Sequence, residues 1–318
     1  MIAGTDYQPM TKPHLSFLIS SYNHQAYVCQ TLDSVMADMA SVATEFEIVL
    51  IDDGSTDDSV LGIRRWHRDH PDAPLRFVAR ENRGLCRSVN EMLSLATGDI
   101  IRLIASDDLI FPGSTQRILE TLATTDAMAI IGDVKVIDAQ GTVLAESGIE
   151  YNGGSKSVMK TRQGLRDEIL GNWSIPGPCL TVRRSVYDIV GGYAEDLVVE
   201  DWDFYMRLVA KDLAVFVDMP VAYYRIHGTN TSRTRQRDRR IAGLSSLLAA
   251  AEKRAELFAG SDLRLLNREV QLLRLKVLYL QRNGVRMPAA MLRYAAMDLR
   301  VRFGTKHSSA DTGRPSSV

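Results

Sequence analysis

Two adjacent carboxylates end an apolar run in the first third of the chain. Asp107 and Asp108 stand in the stretch "RLIASDDLIFPGS", residues 102–114. Carboxylate oxygens are hard ligands that hold Mg²⁺ or Mn²⁺, and such a cation allows an acidic site to accept a diphosphate. The same residues also suit a simple turn, because Asp and Ser satisfy local backbone donors before a Pro-Gly break. The pair alone therefore fits either a metal site or a turn.

The segments that must position this pair alternate between two kinds of periodicity. Apolar runs bounded by turns alternate with segments of helical spacing, the runs at 14–23, 46–52, 75–80 and 99–105 and the helical segments at 25–39, 58–70 and 85–97. This order predicts an α/β fold with a doubly wound, mostly parallel sheet that helices cover on both faces.

Polar residues close three of the predicted strands, in "SSYN" (20–23), "DDGSTD" (52–57) and "SDD" (106–108). Ligands bind such sheets outside the carboxyl ends of the strands, so we expect these three segments to meet at one crevice. The sequence contains neither GxGxxG after the first strand nor a P-loop. A dinucleotide fingerprint and a phosphate-binding glycine loop are thereby excluded.

The composition is that of an ordinary globular protein, with 45% hydrophobic and 24% charged residues among 318. Cys29, Cys86 and Cys179 are widely spaced and form no CxxC, which predicts reduced thiols rather than disulfides or a zinc site. The first residues resemble no signal peptide, and no apolar run reaches the roughly 18 residues of a membrane span. We therefore expect a cytoplasmic protein without a transmembrane helix.

Five short motifs occur in a recognisable order: "SSYN" (20–23), "IDDGSTDDS" (51–59), "ENRG" (81–84) followed by Asn90, "ATGD" (96–99) and "ASDD" (105–108). Over residues 14–113 their order and spacing resemble the inverting nucleotide-sugar glycosyltransferases of glycosyltransferase family 2, which have the GT-A fold. The resemblance implies a nucleotide-binding, Rossmann-like sheet and a nucleotide-diphosphate sugar as donor, with a UDP-sugar expected.

The resemblance also suggests roles for the acidic pair. It implies that Asp108 is a metal ligand, for Mn²⁺ or Mg²⁺, and that Asp107 bridges to the metal or to the ribose. Many family members read "LDxDD" here, whereas this chain has Ala105 in place of the first Asp.

Nucleotide contacts follow from the same resemblance. Asp53 corresponds to the residue that accepts a hydrogen bond from the nucleotide base, and Tyr22 is placed to stack on that base. Ser20 and Arg83 lie where further nucleotide contacts are expected. Without the resemblance, Asp53 could equally shape its turn and Tyr22 could cover the core.

The second half is expected to supply the catalytic base. "GGY" (191–193) and "EDWDFYMRL" (200–208) match the family pattern in which the Asp after the Glu is the base. The resemblance therefore implies Asp201 as general base, with Glu200 as alternate or partner. Carboxylates at a helix start also act as simple caps, because the free backbone donors and the helix dipole favour negative charge there.

"YYRIHGTNTS", residues 223–232, completes the family pattern. Arg225 could neutralise a phosphate of the donor, and His227 could ligate the metal or contact the diphosphate. A lone His beside a turn is also commonly an ordinary structural residue.

The tail from residue 233 is basic and helical in composition, with 18 Lys and Arg against 7 Asp and Glu. We divide the chain into a catalytic domain, 1–232, made of a nucleotide-sugar half (14–113) and an acceptor half (114–232), and a basic helical extension, 233–318. "RTRQRDRR" (233–240) lacks interleaved aromatics and any nucleic-acid motif, so no nucleic-acid partner is expected.

Two segments of the tail are amphipathic. Six apolar residues recur in alternating steps of three and four: Leu263, Leu266, Val270, Leu273, Val277 and Leu280. This seam could pack on the body, pair with a second copy or lie on a membrane. The segment 289–304 is amphipathic and basic, which suits an anionic lipid surface. Peripheral membrane contact and homodimerisation through 233–318 are therefore both expected possibilities.

The sequence thus predicts a metal-dependent glycosyltransferase that inverts the configuration at the anomeric carbon. Its expected acceptor is a hydroxyl of a glycan or a lipid-linked molecule, in bacterial surface polysaccharide synthesis. Two alternatives stay open. A catalytically silent carbohydrate-binding or assembly protein on the same fold would explain Ala105. A sugar nucleotidyltransferase would share the metal and the α/β fold, but it needs a glycine-rich, basic phosphate loop near the N-terminus, which we do not find.

Overall fold

The computed structural model describes residues 14–198, 201–228, 230, 234 and 236–304, and side chains up to 301. In the first part of the chain, strands alternate with helices as β1 (Leu15–Ser21), α1 (Val28–Met39), β2 (Phe46–Asp52), α2 (Ser59–Asp69), β3 (Leu75–Ala79), α3 (Leu85–Leu95) and β4 (Ile100–Ala105). Each element lies where the sequence predicted it, because the apolar periodicity of these segments matches their burial.

The second part adds β5 (Leu109–Ile110), α4 (Ser114–Thr124), β6 (Ala129–Ile137), β7 (Val143–Ala145), α5 (Gly148–Tyr151), α6 (Lys156–Met159), α7 (Arg162–Gly171), a 3₁₀ turn (Gly177–Cys179), β8 (Leu180–Arg183), α8 (Val186–Val190), α9 (Asp201–Ala210) and β9 (Ala214–Arg225). One sheet has the order β3-β2-β1-β4-β8-β6-β9-β5, and β7 pairs with β6. The strands β3, β2, β1 and β4 are parallel, whereas β8 and β5 pair antiparallel with their neighbours. The predicted α/β fold is confirmed.

Both faces of the sheet are buried. Phe17 and Ile19 of β1 belong to a core with α1, α2 and α4, whereas Leu18 between them belongs to a second core with α3, α7 and α9. Successive side chains of a strand point to opposite faces, so a strand that is covered on both sides reads as a continuous apolar run.

Three helices follow β9: α10 (Arg237–Arg254), α11 (Gly260–Leu280) and α12 (Met287–Gly304). α10 packs on α9, and α11 packs on α7, α10 and α12. Leu266, Val270 and Leu273 of the apolar seam are buried and join the same core as α7 and α9. Of the three alternatives for the seam, packing on the body accounts for these residues. The domain boundary at 232/233 stays a prediction.

Among the residues that the structure describes, no helix has both the length and the apolar content required to cross a bilayer.

Candidate active site

The polar strand ends meet at one edge of the sheet. β1 lies between β2 and β4, with Ser21 opposite Asp52 and Ser20 opposite Ala105. The next residues continue this pairing: the Asp53 N–H donates to the Ser21 carbonyl at 2.8 Å, and the Ser106 N–H donates to the Ser20 carbonyl at 3.0 Å. Parallel pairing therefore brings the three predicted segments side by side.

A helix behind the sheet holds the acidic turn in place. The Thr31 hydroxyl of α1 lies 2.9 Å from the Ser106 carbonyl and 2.7 Å from the Asp108 carbonyl. One turn further along, the Ser34 hydroxyl accepts the Ile110 N–H at 3.0 Å. Since backbone groups in this turn are buried, these bonds satisfy them and fix the direction of the Asp107 and Asp108 side chains.

The long strand β9 brings a distant segment to the same turn. Leu109 and Ile110 of β5 pair antiparallel with Tyr223 and Ala222. The residues just before β5 therefore lie beside the residues just after β9. This pairing places His227 next to Asp107, although 120 positions separate them in the chain.

Asp107, His227 and His24 form a cluster of three metal-ligating side chains. His227 Nε2 lies 2.8 Å from Asp107 Oδ2, and His24 Nε2 lies 3.6 Å from the same oxygen. One ligand atom from each residue lies within 4.8 Å of the other two. Two imidazoles and one carboxylate at this spacing fit a single divalent cation.

The surroundings of His24 favour its neutral imidazole. Burial lowers the pKa of His24, against the opposing charge of Asp107. The other ring nitrogen, Nδ1, lies 2.9 Å from the Ser106 hydroxyl, which orients the ring. The amide of Asn230 approaches Asp107 Oδ2 at 3.4 Å. A neutral, oriented imidazole is the form that binds metals.

Asp108 is not one of the three members of this cluster. Its carboxylate is buried, and Oδ1 accepts the Arg225 N–H at 2.8 Å. Burial raises the pKa of Asp108 well above its usual range, and the charge of Asp107 adds to this rise. The two adjacent carboxylates thus differ: Asp107 faces the imidazoles, and Asp108 joins the turn to the end of β9. A metal contact by Asp108 stays a prediction.

Arg225 is buried, and its guanidinium is used within the protein. Nε donates to the Asp107 carbonyl at 2.8 Å, and Nη2 donates to Gln30 Oε1 at 3.0 Å. Nη1 approaches the carbonyls of residues 138 and 139, and the guanidinium carbon lies 4.8 Å from the Tyr27 ring centre. These contacts make Arg225 a positioning residue for the acidic turn. A contact between Arg225 and the nucleotide sugar stays a prediction.

Asp53 lies at the end of β2 and holds the segment that follows β3. Its Oδ1 accepts the Arg83 N–H at 2.8 Å, and Oδ2 accepts the Gly84 N–H at 2.9 Å. The Arg80 guanidinium pairs with the same carboxylate. A carboxylate has about four acceptor positions, so Asp53 can fix this loop and still accept one further hydrogen bond.

The other predicted nucleotide contacts lie at the same edge. Tyr22 is 48% exposed, which leaves its ring accessible to a stacking partner. Ser20 is half-buried at the end of β1. The Arg83 side chain is exposed and borders an open cavity of about 500 Å³, together with Arg87 and Glu195.

Asp201, in the first turn of α9, is a half-buried carboxylate with an unusual pKa. Its Oδ1 accepts the Trp202 N–H at 2.7 Å. Burial raises the pKa of Asp201 to about 6, and the backbone hydrogen bonds only partly oppose this. Carboxylates with a pKa near the working pH are suited to general base catalysis. Glu200, its predicted partner, lies outside the described residues.

Cys179 is a buried thiol in acidic surroundings. Burial raises the pKa of Cys179 well above its usual range, and the charges of Asp133, Asp108 and Asp201 add to the effect. The thiol is therefore kept protonated.

Sequence reasoning missed two members of the site, His24 and Asn230. His24 comes directly after "SSYN", so the rule about polar strand ends could have included it. Asn230 stands within "YYRIHGTNTS" and donates to Asp107 and to the Arg225 carbonyl. Neither residue shows a periodicity that marks it as functional.

Residues 16–190 match the family described as Glycosyl transferase family 2. The chain belongs to glycosyltransferase family 2. It is 27% identical over 261 residues to an uncharacterized glycosyltransferase of Nostoc, an alignment that covers 78% of this chain and 72% of that protein. It is 25% identical over 224 residues to chondroitin synthase of Escherichia coli, covering 69% of this chain but 30% of that protein.

Solved structures of glycosyltransferases share the fold of this family 2 member. A mannosyltransferase from Pyrobaculum calidifontis, in complex with GDP-Man and Mn²⁺, has a TM-score of 0.60 at 18% identity and covers 97% of this chain and 87% of its own. TarS 1–349 of S. aureus, in complex with UDP-GlcNAc, has a TM-score of 0.58 at 17% identity and covers 92% of both chains. At this identity the likeness establishes the GT-A fold.

Proposed function

We propose that this family 2 glycosyltransferase moves a sugar from a nucleotide-diphosphate sugar to an acceptor hydroxyl with inversion at the anomeric carbon. The observation that carries the proposal is the cluster of His24, Asp107 and His227 at the carboxyl edge of the sheet. Such a cluster can hold the divalent cation that pairs with the two phosphates of the donor. The elevated pKa of Asp201 supports the proposal from the acceptor side.

The cluster fits a divalent cation, and its chemistry favours Mn²⁺ over Mg²⁺. Mg²⁺ is usually bound by oxygen atoms alone, whereas Mn²⁺ accepts a mixture of imidazole and carboxylate ligands. A cation held by these three side chains would supply charge neutralisation for the departing nucleotide diphosphate. Asp107 holds this position because the Arg225 guanidinium fixes its carbonyl and Asn230 approaches its carboxylate.

Asp201 acts as the general base in this proposal. The acceptor hydroxyl gives its proton to the Asp201 carboxylate as the oxygen attacks the anomeric carbon, and the bond from that carbon to the diphosphate breaks. One in-line displacement of this kind inverts the configuration. General-base assistance is typically worth about 10²–10⁴ in rate. The Trp202 N–H, which Oδ1 accepts, holds the carboxylate in a fixed direction.

The nucleotide is proposed to lie along the ends of β1 and β2. Tyr22 stacks on the base, and Asp53 accepts a hydrogen bond from it while it holds the Arg83–Gly84 backbone. Ser20 and the exposed Arg83 side chain supply further contacts. A UDP-sugar is the proposed donor, supported by the complex of the structural neighbour TarS with UDP-GlcNAc.

The proposed acceptor is a glycan or lipid-linked molecule in the synthesis of a bacterial surface polysaccharide, at the cytoplasmic side of the membrane. The relationship to chondroitin synthase supports a polysaccharide product. The extension after residue 232 is proposed to contact the membrane or a second copy of the chain.

The test is a thermal-shift screen of the purified protein against UDP- and GDP-sugars, with Mn²⁺ and with EDTA. A ligand at 100 times its dissociation constant stabilises the folded protein by about 2.7 kcal/mol. We expect stabilisation by one class of donor, dependent on Mn²⁺ and lost in Asp107→Asn. Proton NMR of the product then gives the anomeric configuration. Absence of a shift with every donor at millimolar concentration would favour the catalytically silent alternative.

A further inference from the structure

The last described helix, α12, leaves one apolar face uncovered. Met291 is 57% exposed, Leu292 73% and Leu299 54%. Pro288 and Ala295 are exposed as well. Residues 288, 291, 292, 295 and 299 follow the spacing of one helical face, because positions three, four and seven apart lie on the same side of a helix. Arg302 occupies the next position of this spacing, so the face is apolar up to residue 299 and basic after it. Contiguous exposed apolar surface of this kind marks an interaction site.

The opposite side of α12 already has its partner. Ala290 is buried against the rest of the molecule, and Asp298 faces Arg268 of α11 at 3.9 Å. The contact between α11 and α12 is extensive. The exposed apolar face is therefore a second surface of this helix, distinct from the one that packs on the body.

Arginines border the exposed face. Arg293 and Arg300 are exposed and lie seven residues apart, which places them on one side of the helix. Arg282 and Arg286 are exposed in the turn before the helix. None of the four forms an ion pair with a carboxylate of the described residues. Asp298 is the one acidic residue of α12, and it is turned towards α11.

We propose that this face of α12 docks the protein on an anionic lipid bilayer. An apolar face with basic residues beside it binds the interface plane of a membrane, where the apolar side chains enter the acyl boundary and the arginines meet the headgroups. Charge decides between this occupant and a second copy of the chain. A twofold contact would bring a second set of the same unpaired arginines to this face, whereas an anionic surface pairs with all of them.

The test is flotation of the full chain with vesicles of phosphatidylcholine alone and of phosphatidylcholine with one quarter phosphatidylglycerol, at 50 and 500 mM salt. We expect binding to the anionic vesicles at low salt and little binding to the neutral ones. Each basic residue near such a surface contributes about 1 kcal/mol, so Arg293→Gln with Arg300→Gln should lower the partition coefficient about 30-fold. Leu292→Glu with Leu299→Glu should abolish it.

The matched control is Leu61→Glu. Leu61 lies in α2, outside the extension, and its exposure of 58% is similar to that of Leu299. This variant should bind vesicles like the wild type. Because all substituted side chains are exposed, thermal midpoints should stay within a few degrees, and this checks that the variants fold. Equal binding by the wild type and the α12 variants, or no wild-type binding, overturns the proposal.

Sedimentation velocity tests whether a second copy of the chain covers this face instead. A concentration-dependent dimer that Leu292→Glu with Leu299→Glu dissociates, without vesicle binding, would show that the occupant is a second copy and would also overturn the proposal. The assay contains no sugar nucleotide, so its failure would leave the proposed transferase activity untouched.

Discussion

Asp201→Asn is the substitution that tests the proposed base most directly. The change keeps the shape of the side chain and an oxygen that can accept the Trp202 N–H. It removes the ability to take a proton from the acceptor. We expect the turnover number to fall by about 10²–10⁴, with donor affinity nearly unchanged, because Asp201 is proposed to meet the acceptor rather than the nucleotide.

The same substitution has a predictable effect on stability. Burial raises the pKa of Asp201 from 3.8 to about 6. At about 1.4 kcal/mol per pH unit, this rise corresponds to roughly 3 kcal/mol. The folded protein binds the proton more tightly than the unfolded chain, so the contribution of Asp201 to the free energy of unfolding falls as the pH rises from about 4 to about 6. Asparagine has no proton to lose.

The assay is urea unfolding of both proteins between pH 4 and pH 8, followed by the fluorescence of tryptophan. We expect Asp201→Asn to gain roughly 3 kcal/mol relative to the wild type over this range. The wild-type transfer rate should decline below pH 6 as the base is protonated. Asp196→Asn, which alters an exposed carboxylate that pairs with Lys253, is the control and should change stability by less than about 1 kcal/mol.

Two results would refute the reasoning. Wild-type turnover in Asp201→Asn would exclude this residue as the base. A stability difference that does not change with pH would show that its carboxylate is hydrated rather than buried in the folded protein.

The remaining predictions concern the cation and the loop that follows β2. Asp107→Asn should weaken Mn²⁺ binding, measured by isothermal titration calorimetry, by more than the roughly 10–100-fold that is typical when a residue beside a metal ligand is changed. Asp108→Asn should change Mn²⁺ binding only a few-fold, since asparagine keeps an oxygen that can accept the Arg225 N–H and Asp108 is not a member of the cluster. Equal losses in the two variants would make Asp108 a ligand too. Asp53→Asn places an amide opposite backbone donors and should cost about 1–3 kcal/mol in urea unfolding. Gly54→Ala should lower the thermal midpoint by several degrees, because Gly54 has φ +81° and a Cβ there would lie 2.7 Å from the Asn82 nitrogen, a strain of about 1–3 kcal/mol. An unchanged midpoint would show that the turn relaxes freely.

The sequence by itself determined the elements of the first half and the edge where the site lies. Apolar runs such as 46–52 became strands at the predicted positions, because a strand with two buried faces is apolar along most of its length. The polar residues after these strands had to meet, since parallel pairing aligns their carboxyl ends. The apolar seam of α11 was likewise visible from its spacing, although its partner was not.

Tertiary structure alone decided which of two neighbouring carboxylates faces the cluster. Asp107 and Asp108 are equivalent in the sequence, but the Arg225 N–H, from the end of β9, binds Asp108 and leaves Asp107 beside His227. Burial decided the role of Arg225 in the same way, because its guanidinium N–H groups donate to carbonyls within the protein. These outcomes depend on hydrogen bonds between residues more than eighty positions apart, and local periodicity does not identify such partners.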